Sequence, residues 1–409
     1  MTVGSFIPAS YNTYDFKERD EEEFATKRPG LAFAIALLSI WLALGINMPA
    51  FAQTTGNLTD PYAITSLPAY YGFTKTVTIT NQGQAPALNV VSHIVLLPPA
   101  TPYAHVTLTG YSTMPDSTFR DQYGNLIGVY QWPDILPGHS VTLTFTYQDT
   151  SENIAYRLPS EYPPYNQASA IYREYTNPRL EAQAVNTDAP AIRALVNQLT
   201  HGLTNPYQRA QILFNWVAQN IQYNYSLKAS GSALATLKSR LGICSDIADL
   251  YVSMLRTDGI PARFVGGYVT NNGDGQGGFH QWTEFYLPRV GWVVADPTWG
   301  RFGYFAALQD DWHIPLYDGI RSDISVHWQY AKSGTTRPYL TIGYHYHFST
   351  EQSPPVTKSL ALPVSGSFPT VSLHHTRLGF WAMLRIDARR WVAALDSYWI
   401  RLKLAIENL

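Results

Sequence analysis

Between residues 70 and 150 apolar and polar side chains alternate in short runs, the period of a strand with one buried face. The runs are Thr76-Val-Thr-Ile-Thr80, Leu88-Asn-Val-Val-Ser92, His105-Val-Thr-Leu-Thr109, Gly128-Val-Tyr-Gln-Trp132 and Ser140–Tyr147. Turn residues separate them at Asn81-Gln-Gly83, Pro98-Pro99 and Pro137-Gly138. This pattern predicts an all-β, immunoglobulin-like sandwich over 53–150. The period then changes. Residues 151–188, rich in Tyr, Pro, Asn and Glu, read as a connecting arm. A helix is expected from Pro190 to about Leu203, capped by Thr187-Asp-Ala-Pro190, and a second from Asn205-Pro206 carrying Ala210, Ile212, Leu213, Val217 and Ile221. Ile247, Leu250, Tyr251, Met254 and Leu255 fall on one face of a third helix that begins at Cys244, with Gly242 before it allowing a sharp bend.

Pro261 closes that helical region, Ala262–Thr270 reads as a strand, and 280–287 with 292–296 reads as a hairpin around Pro288-Arg-Val-Gly291. His280 is expected to begin the first hairpin strand and Asp296 to end the second, so both lie at its open end. Further short strands follow, such as Tyr339–Tyr344, and then a Pro/Ser/Thr-rich linker over 350–375. Trp381, Leu384, Ala388, Trp391, Leu395, Tyr398 and Leu402 make one stripe of a helix over 376–409. Its arginines make it too charged to span a membrane. Docking on its own domain or a partner is the expectation, with an anionic membrane surface as the other reading.

Composition narrows the class. Charged residues are 14% of the 409 and the net charge is −2, so no nucleic-acid partner is expected. Low charge with 28 Tyr and 11 Trp fits a β-rich exported protein better than a cytosolic enzyme. Residues 1–52 read as a polar tail followed by an export segment. Lys27-Arg28 precedes the apolar run Leu31–Gly45, and Ala50-Phe-Ala52 offers a cleavage site, giving a mature start at Gln53. An uncleaved N-terminal anchor is the alternative.

Chemistry concentrates between Gly242 and Trp299. The only cysteine of the chain, Cys244, stands at a helix start, where unpaired N–H groups and the helix dipole favour a thiolate. His280 and Asp296 follow, giving a nucleophile, a base and a group to orient the base. One cysteine also means that the fold depends on no intrachain disulfide. Trp282, Trp292 and Trp299 read mainly as sheet packing. Trp299, Trp282 and Tyr223 are the candidates to border a substrate cleft, and Glu284 reads as a solvated strand position.

Gly242-Ile-Cys244, then Gly259-Ile-Pro-Ala-Arg263, His280-Gln-Trp-Thr-Glu284 and Gly291-Trp…Asp296-Pro-Thr298 resemble the transglutaminase-like superfamily over roughly 190–300. The resemblance implies an α+β class with a papain-like core over 151–349, the cysteine helix packing on an antiparallel sheet. It implies Cys244 as nucleophile, His280 as general base and acid, and Asp296 as orienter. The activity implied is acyl transfer or hydrolysis at protein or peptide amides through a cysteine thioester. A non-catalytic envelope module binding protein on the same fold is the alternative. No cofactor is expected. His345 and His347, and His374-His375, lack neighbouring ligands at metal spacing, and the Asn/Asp/Gly loop 271–278 resembles a calcium loop in composition only.

Overall fold

The computed structural model describes residues 2–6, 60–66, 68–270, 277–319, 322–330 and 336–351. The export segment, the loop tip 271–276, most of the linker, His374-His375 and the C-terminal helix expected over 376–409 lie outside the described residues.

The strands β1 (Thr2–Phe6), β2 (Ala63–Thr65), β3 (Ala69–Asn81), β4 (Leu88–Leu97), β5 (Ala104–Tyr111), β6 (Ser117–Arg120), β7 (Leu126–Trp132), β8 (Ser140–Ser151) and β9 (Ile154–Tyr156) come first. Helices α1 (Ala170–Tyr175), α2 (Ala182–Val185), α3 (Pro190–Thr200) and α4 (Pro206–Asn220) follow. Then come β10 (Gln222–Tyr223), α5 (Ala233–Ser239), β11 (Leu241–Gly242) and α6 (Cys244–Thr257). The chain continues through β12 (Ala262–Thr270), β13 (Gly277–Leu287), β14 (Gly291–Ala295), β15 (Ala307–Leu308), β16 (His313–Asp318), β17 (Ile324–Tyr330) and β18 (Leu340–Glu351).

Two antiparallel sheets, ordered β1-β17-β4-β7-β6 and β18-β3-β8-β5, share one apolar core. Strand β3 shows why: Tyr71, Phe73, Val77 and Ile79 alternate inward, and Phe73 stacks between Tyr147 and Phe348. The expected sandwich of 53–150 is therefore not complete in itself. Strand β17 pairs with β4, and β18 pairs with β3 along twelve residues, although both were expected inside the catalytic segment. Alternation predicts that such strands exist; it carries no information about which distant edge they complete.

The second core lies between α3, α4, α6 and a sheet ordered β14-β13-β12-β16. Helix α6 was expected to bury one face, yet every residue from Asp246 to Arg256 is buried. It is a central helix, and Asp249, Ser253 and Arg256 are polar groups carried into the interior. Helix α4 starts as expected, with Asn205 Oδ1 accepting from the N–H groups of Tyr207 and Gln208 at 3.0 and 3.3 Å. Helix α3 opens with Pro190 in its first turn as expected, but from the Thr187-Asp-Ala-Pro190 stretch it is Ala189 that stands at the N-cap, and it offers no side-chain bond. The 151–188 arm is more structured than expected, containing β9, α1 and α2.

Two adjacent glycines shape the sheet where β12 passes under the site. A Cβ on Gly267 would lie 2.3 Å from the Ile314 carbonyl oxygen and 2.4 Å from the Trp282 ring; one on Gly266 would lie 2.1 Å from the Tyr317 ring. Their bareness lets two large rings cross the strand. Gly267→Ala is expected to destabilise the protein by about 2 kcal/mol through overpacking, seen as a lower urea midpoint. An unchanged midpoint would contradict this packing.

Candidate active site

Cys244 is the first residue of α6, and its placement begins with Asp246. Asp246 Oδ2 accepts from the N–H of Ile243 at 3.1 Å, while Oδ1 accepts from Ser230 N and Oγ, both at 2.7 Å. A carboxylate at the first turn complements the helix dipole and ties the 230–231 loop beneath the thiol. Gly242 serves this approach rather than a sharp bend. It lies in β11, and a Cβ there would meet Asp246 Cβ at 2.8 Å. Cys244 itself is half-buried.

His280 reaches the thiol from β13. That strand begins at Gly277, so His280 lies within it rather than at its first position, paired with Gly267. Asp296 directly follows β14, whose last residue, Ala295, pairs with Thr283. Its Oδ2 sits 2.7 Å from Nε2 of His280, and its Oδ1 accepts from Thr298 N–H at 2.9 Å. The Cys244 side chain also interacts with His280, and with Nε2 taken by Asp296 the nitrogen left to meet it is Nδ1. The three expected residues are brought together.

Electrostatics fix the protonation state. Burial pushes the His280 imidazolium down, but the Asp296 carboxylate, by charge and hydrogen bond, together with Cys244 outweighs it and raises the group to about 10. Burial likewise acts to raise Asp296, and His280 with His313 overrides it, holding the carboxyl well below its ordinary range. At neutral pH the His280 ring is therefore an imidazolium near Cys244, the kind of partner that a thiolate needs.

This arrangement has a signature in stability. A histidine held protonated in the folded state contributes below its unfolded value of 6.5 and loses that contribution as pH rises through about 10. The stability advantage of wild type over His280→Gln should therefore be full near pH 6 and shrink toward pH 10 in denaturant titrations. A difference that grows with pH would contradict the ion pair.

Trp299 and Trp282 stack with His280 at 5.3 and 6.1 Å, with ring planes within 19° and 23° of parallel. Trp282 is fully buried and donates from Nε1 to the Tyr103 hydroxyl at 3.1 Å, so it is a wall behind the base rather than a substrate contact. Trp299, only partly buried, covers the outer side of His280. Tyr223 lies beside Cys244 because β10 and β11 pair Tyr223 with Gly242. Burial, then the Cys244 charge, raises its hydroxyl far above its usual value.

Glu284 corrects the sequence expectation of a solvated position. It is buried and accepts from Arg263 Nε and Nη2 at 2.9 and 2.6 Å, serving the fold beneath the site. His345 and His347 are exposed on one face of β18. Sequence reasoning missed His313, Asp310 and Tyr304, which surround the far side of Asp296. His313 Nε2 lies 3.3 Å from Asp296 Oδ2. No motif marks His313; only the pairing of β16 with β12 brings it in. Ligand atoms of His280, Asp296 and His313 lie within 4.8 Å of one another, a convergence these hydrogen bonds already explain.

Residues 193–297 match the family model of the Transglutaminase-like superfamily. This segment is similar to a transglutaminase-like domain. The domain contains all three expected residues, Cys244, His280 and Asp296. Over 126 residues the chain is 30% identical to a protein-glutamine gamma-glutamyltransferase of Pseudomonas aeruginosa, covering 27% of this chain and 18% of that protein. Over 151 residues it is 26% identical to the uncharacterized protein YebA of Bacillus subtilis, covering 31% of this chain and 20% of that one. The match thus spans about a fifth of each relative's length. Among solved structures, a candidate cysteine protease from Cytophaga hutchinsonii aligns over 75% of this chain and 96% of its own, with TM-score 0.50 and 16% identity. That likeness concerns the fold alone. Among the described residues no helix is long and apolar enough to cross a membrane.

Proposed function

We propose that this chain is an exported thiol enzyme that opens amide bonds of proteins or peptides through a cysteine acyl-thioester. The observation that carries the reading is the connected series Cys244–His280–Asp296, with the imidazole protonated beside the chain's only thiol. Export rests on the basic flank, apolar run and Ala-Phe-Ala of residues 27–52.

The chemistry follows from the geometry. The Cys244 thiolate attacks the amide carbonyl carbon, and the carbonyl electron pair moves onto oxygen. The Cys244 backbone N–H, at the start of α6, is the donor that this reading assigns to that oxygen. As the tetrahedral carbon collapses, the carbon–nitrogen bond breaks and His280 gives its proton to the departing amine. The neutral imidazole left behind then takes a proton from water or from a second amine, which displaces the thiolate. Asp296 keeps the ring aligned through both proton transfers. Water yields a hydrolase and an amine yields a transferase; the first half-reaction is shared.

The test is mass spectrometry of glutamine- and lysine-containing peptides and of peptidoglycan peptides, incubated with the protein with and without methylamine and without added calcium. Shortened peptides mean hydrolysis, and a product carrying methylamine means transfer. Neither product, together with a thiol that iodoacetamide titrates near its ordinary value of ~8.5, would sink the reading in favour of a non-catalytic binding module.

A further inference from the structure

His313, in β16, is buried to 1% and both of its ring nitrogens face carboxylates. Nδ1 lies 2.8 Å from Asp310 Oδ1, and Nε2 lies 3.3 Å from the same Asp296 oxygen that meets His280. An ionised carboxylate only accepts hydrogen bonds, so both nitrogens must donate, and the ring is an imidazolium. The electrostatic balance agrees: burial lowers the group, but the Asp310 charge and the bonds to Asp296 and Asp310 raise it above its ordinary value. Asp310 is itself fixed, accepting from the Tyr304 hydroxyl at 2.5 Å and from Trp312 N–H at 2.8 Å.

Both carboxylate oxygens of Asp296 are consequently committed. Oδ1 takes Thr298 N–H, and Oδ2 takes two histidines. The same two indoles hold both imidazoles. Trp282 and Trp299 stack with His280 and meet His313 edge-on, each at 5.0 Å. A fully buried charge pair is expensive to install. Here it is placed where a carboxylate must not rotate.

We propose that His313 is a positioning residue for the base: clamped between Asp310 and Asp296, it holds the Asp296 oxygen on Nε2 of His280 and so keeps Nδ1 aimed at Cys244. The inference rests on the thiol-enzyme reading above and adds a role that the triad alone does not contain. The ionisable groups facing the two imidazoles are Cys244 from α6, Asp296 after β14, and Tyr304 and Asp310 from the 303–312 connection.

Two amide variants separate positioning from simple charge compensation. The longer amide introduced by His313→Gln reaches the place of Nε2 and keeps a donor toward Asp296. The shorter one introduced by His313→Asn reaches only the place of Nδ1. The readout is the pH profile of iodoacetate alkylation of Cys244, whose upper limb marks loss of the His280 proton near pH 10 in wild type. His313→Asn is expected to move that limb down by about one pH unit, a tenfold change in proton affinity, while His313→Gln keeps it within a few tenths.

Equal shifts in both variants, no shift in either, or an upward shift in His313→Asn would overturn the proposal. Should both variants unfold, nitrogen-15 NMR of the wild-type ring decides. Two protonated nitrogens at pH 8 support the clamp, and a bare Nε2 overturns it. An ordinary thiol profile in wild type would bring down the enzyme reading and this inference together. A shifted wild-type profile that neither amide moves would overturn this inference alone.

Discussion

Cys244→Ala is expected to reduce amide turnover to background while leaving the melting transition within about 2 °C of wild type. No second thiol exists to take over the attack. In a triad the nucleophile and base act as a unit, so loss of the nucleophile forfeits nearly all of their joint contribution, on the order of 10⁴-fold or more. Cys244 is half-buried, at the first turn of α6, and its removal leaves no closed cavity. Structural cysteines behave oppositely, with stability lost and activity following it down. The measurement is turnover of whichever peptide the screen identifies, beside a thermal melt. Retained turnover at an unchanged melting temperature would exclude the thiol as nucleophile.

Arg263→Leu is expected to cost about 3–5 kcal/mol of stability, the range for stripping one partner from a buried ion pair. Arg263 joins three strands and the sandwich region beneath the site. It donates to Glu284 through Nε and Nη2, lies 2.8 Å from Asp318 Oδ2, reaches the Tyr123 carbonyl at 3.4 Å, and rests over the Trp292 ring. Asp318 is not aligned with Arg263 as a hydrogen bond, and burial outweighs the guanidinium, pushing its carboxyl up to about 8. Glu284 is therefore the group that leucine would strand. The double variant Arg263→Leu/Glu284→Leu should recover at least half of the loss in denaturant titrations. A single-variant cost below about 1 kcal/mol would mean that water or a rearranged neighbour already solvates Glu284.

The parts of the site that lie close in sequence to a periodic element were readable. The Cys244 helix starts where the apolar spacing begins, β12 spans the expected Ala262–Thr270, and the β13–β14 hairpin brings His280 to Asp296. Positions decided by contacts across the chain were not readable. Glu284 alternates like a solvated residue and is buried only because Arg263, twenty-one residues earlier, meets it across the β12–β13 pair. His313 joins the site through β16, which no motif announces. Gly242 was legible as a special position but for the wrong reason, since its constraint is the Asp246 side chain rather than a turn. The sandwich strands were legible as strands, yet half of the information in a strand is its partner, and β17 and β18 find theirs far upstream.

That pairing places a timing constraint on synthesis. The N–H of Tyr339 bonds to the Asn81 side chain across 258 residues, and β18 then runs along the whole of β3. Until the last of these residues has left the ribosome, β3 keeps an open edge and its sheet lacks a border. Closing so long a loop is slow, because the entropy is lost before the contacts are gained. The nascent N-terminal half, rich in β-branched residues, must wait with that edge open for strands made after α6 and the β13–β14 hairpin. A chain built this way completes its sandwich last, so a β3 paired on both edges implies that the chain through β18 has already been delivered.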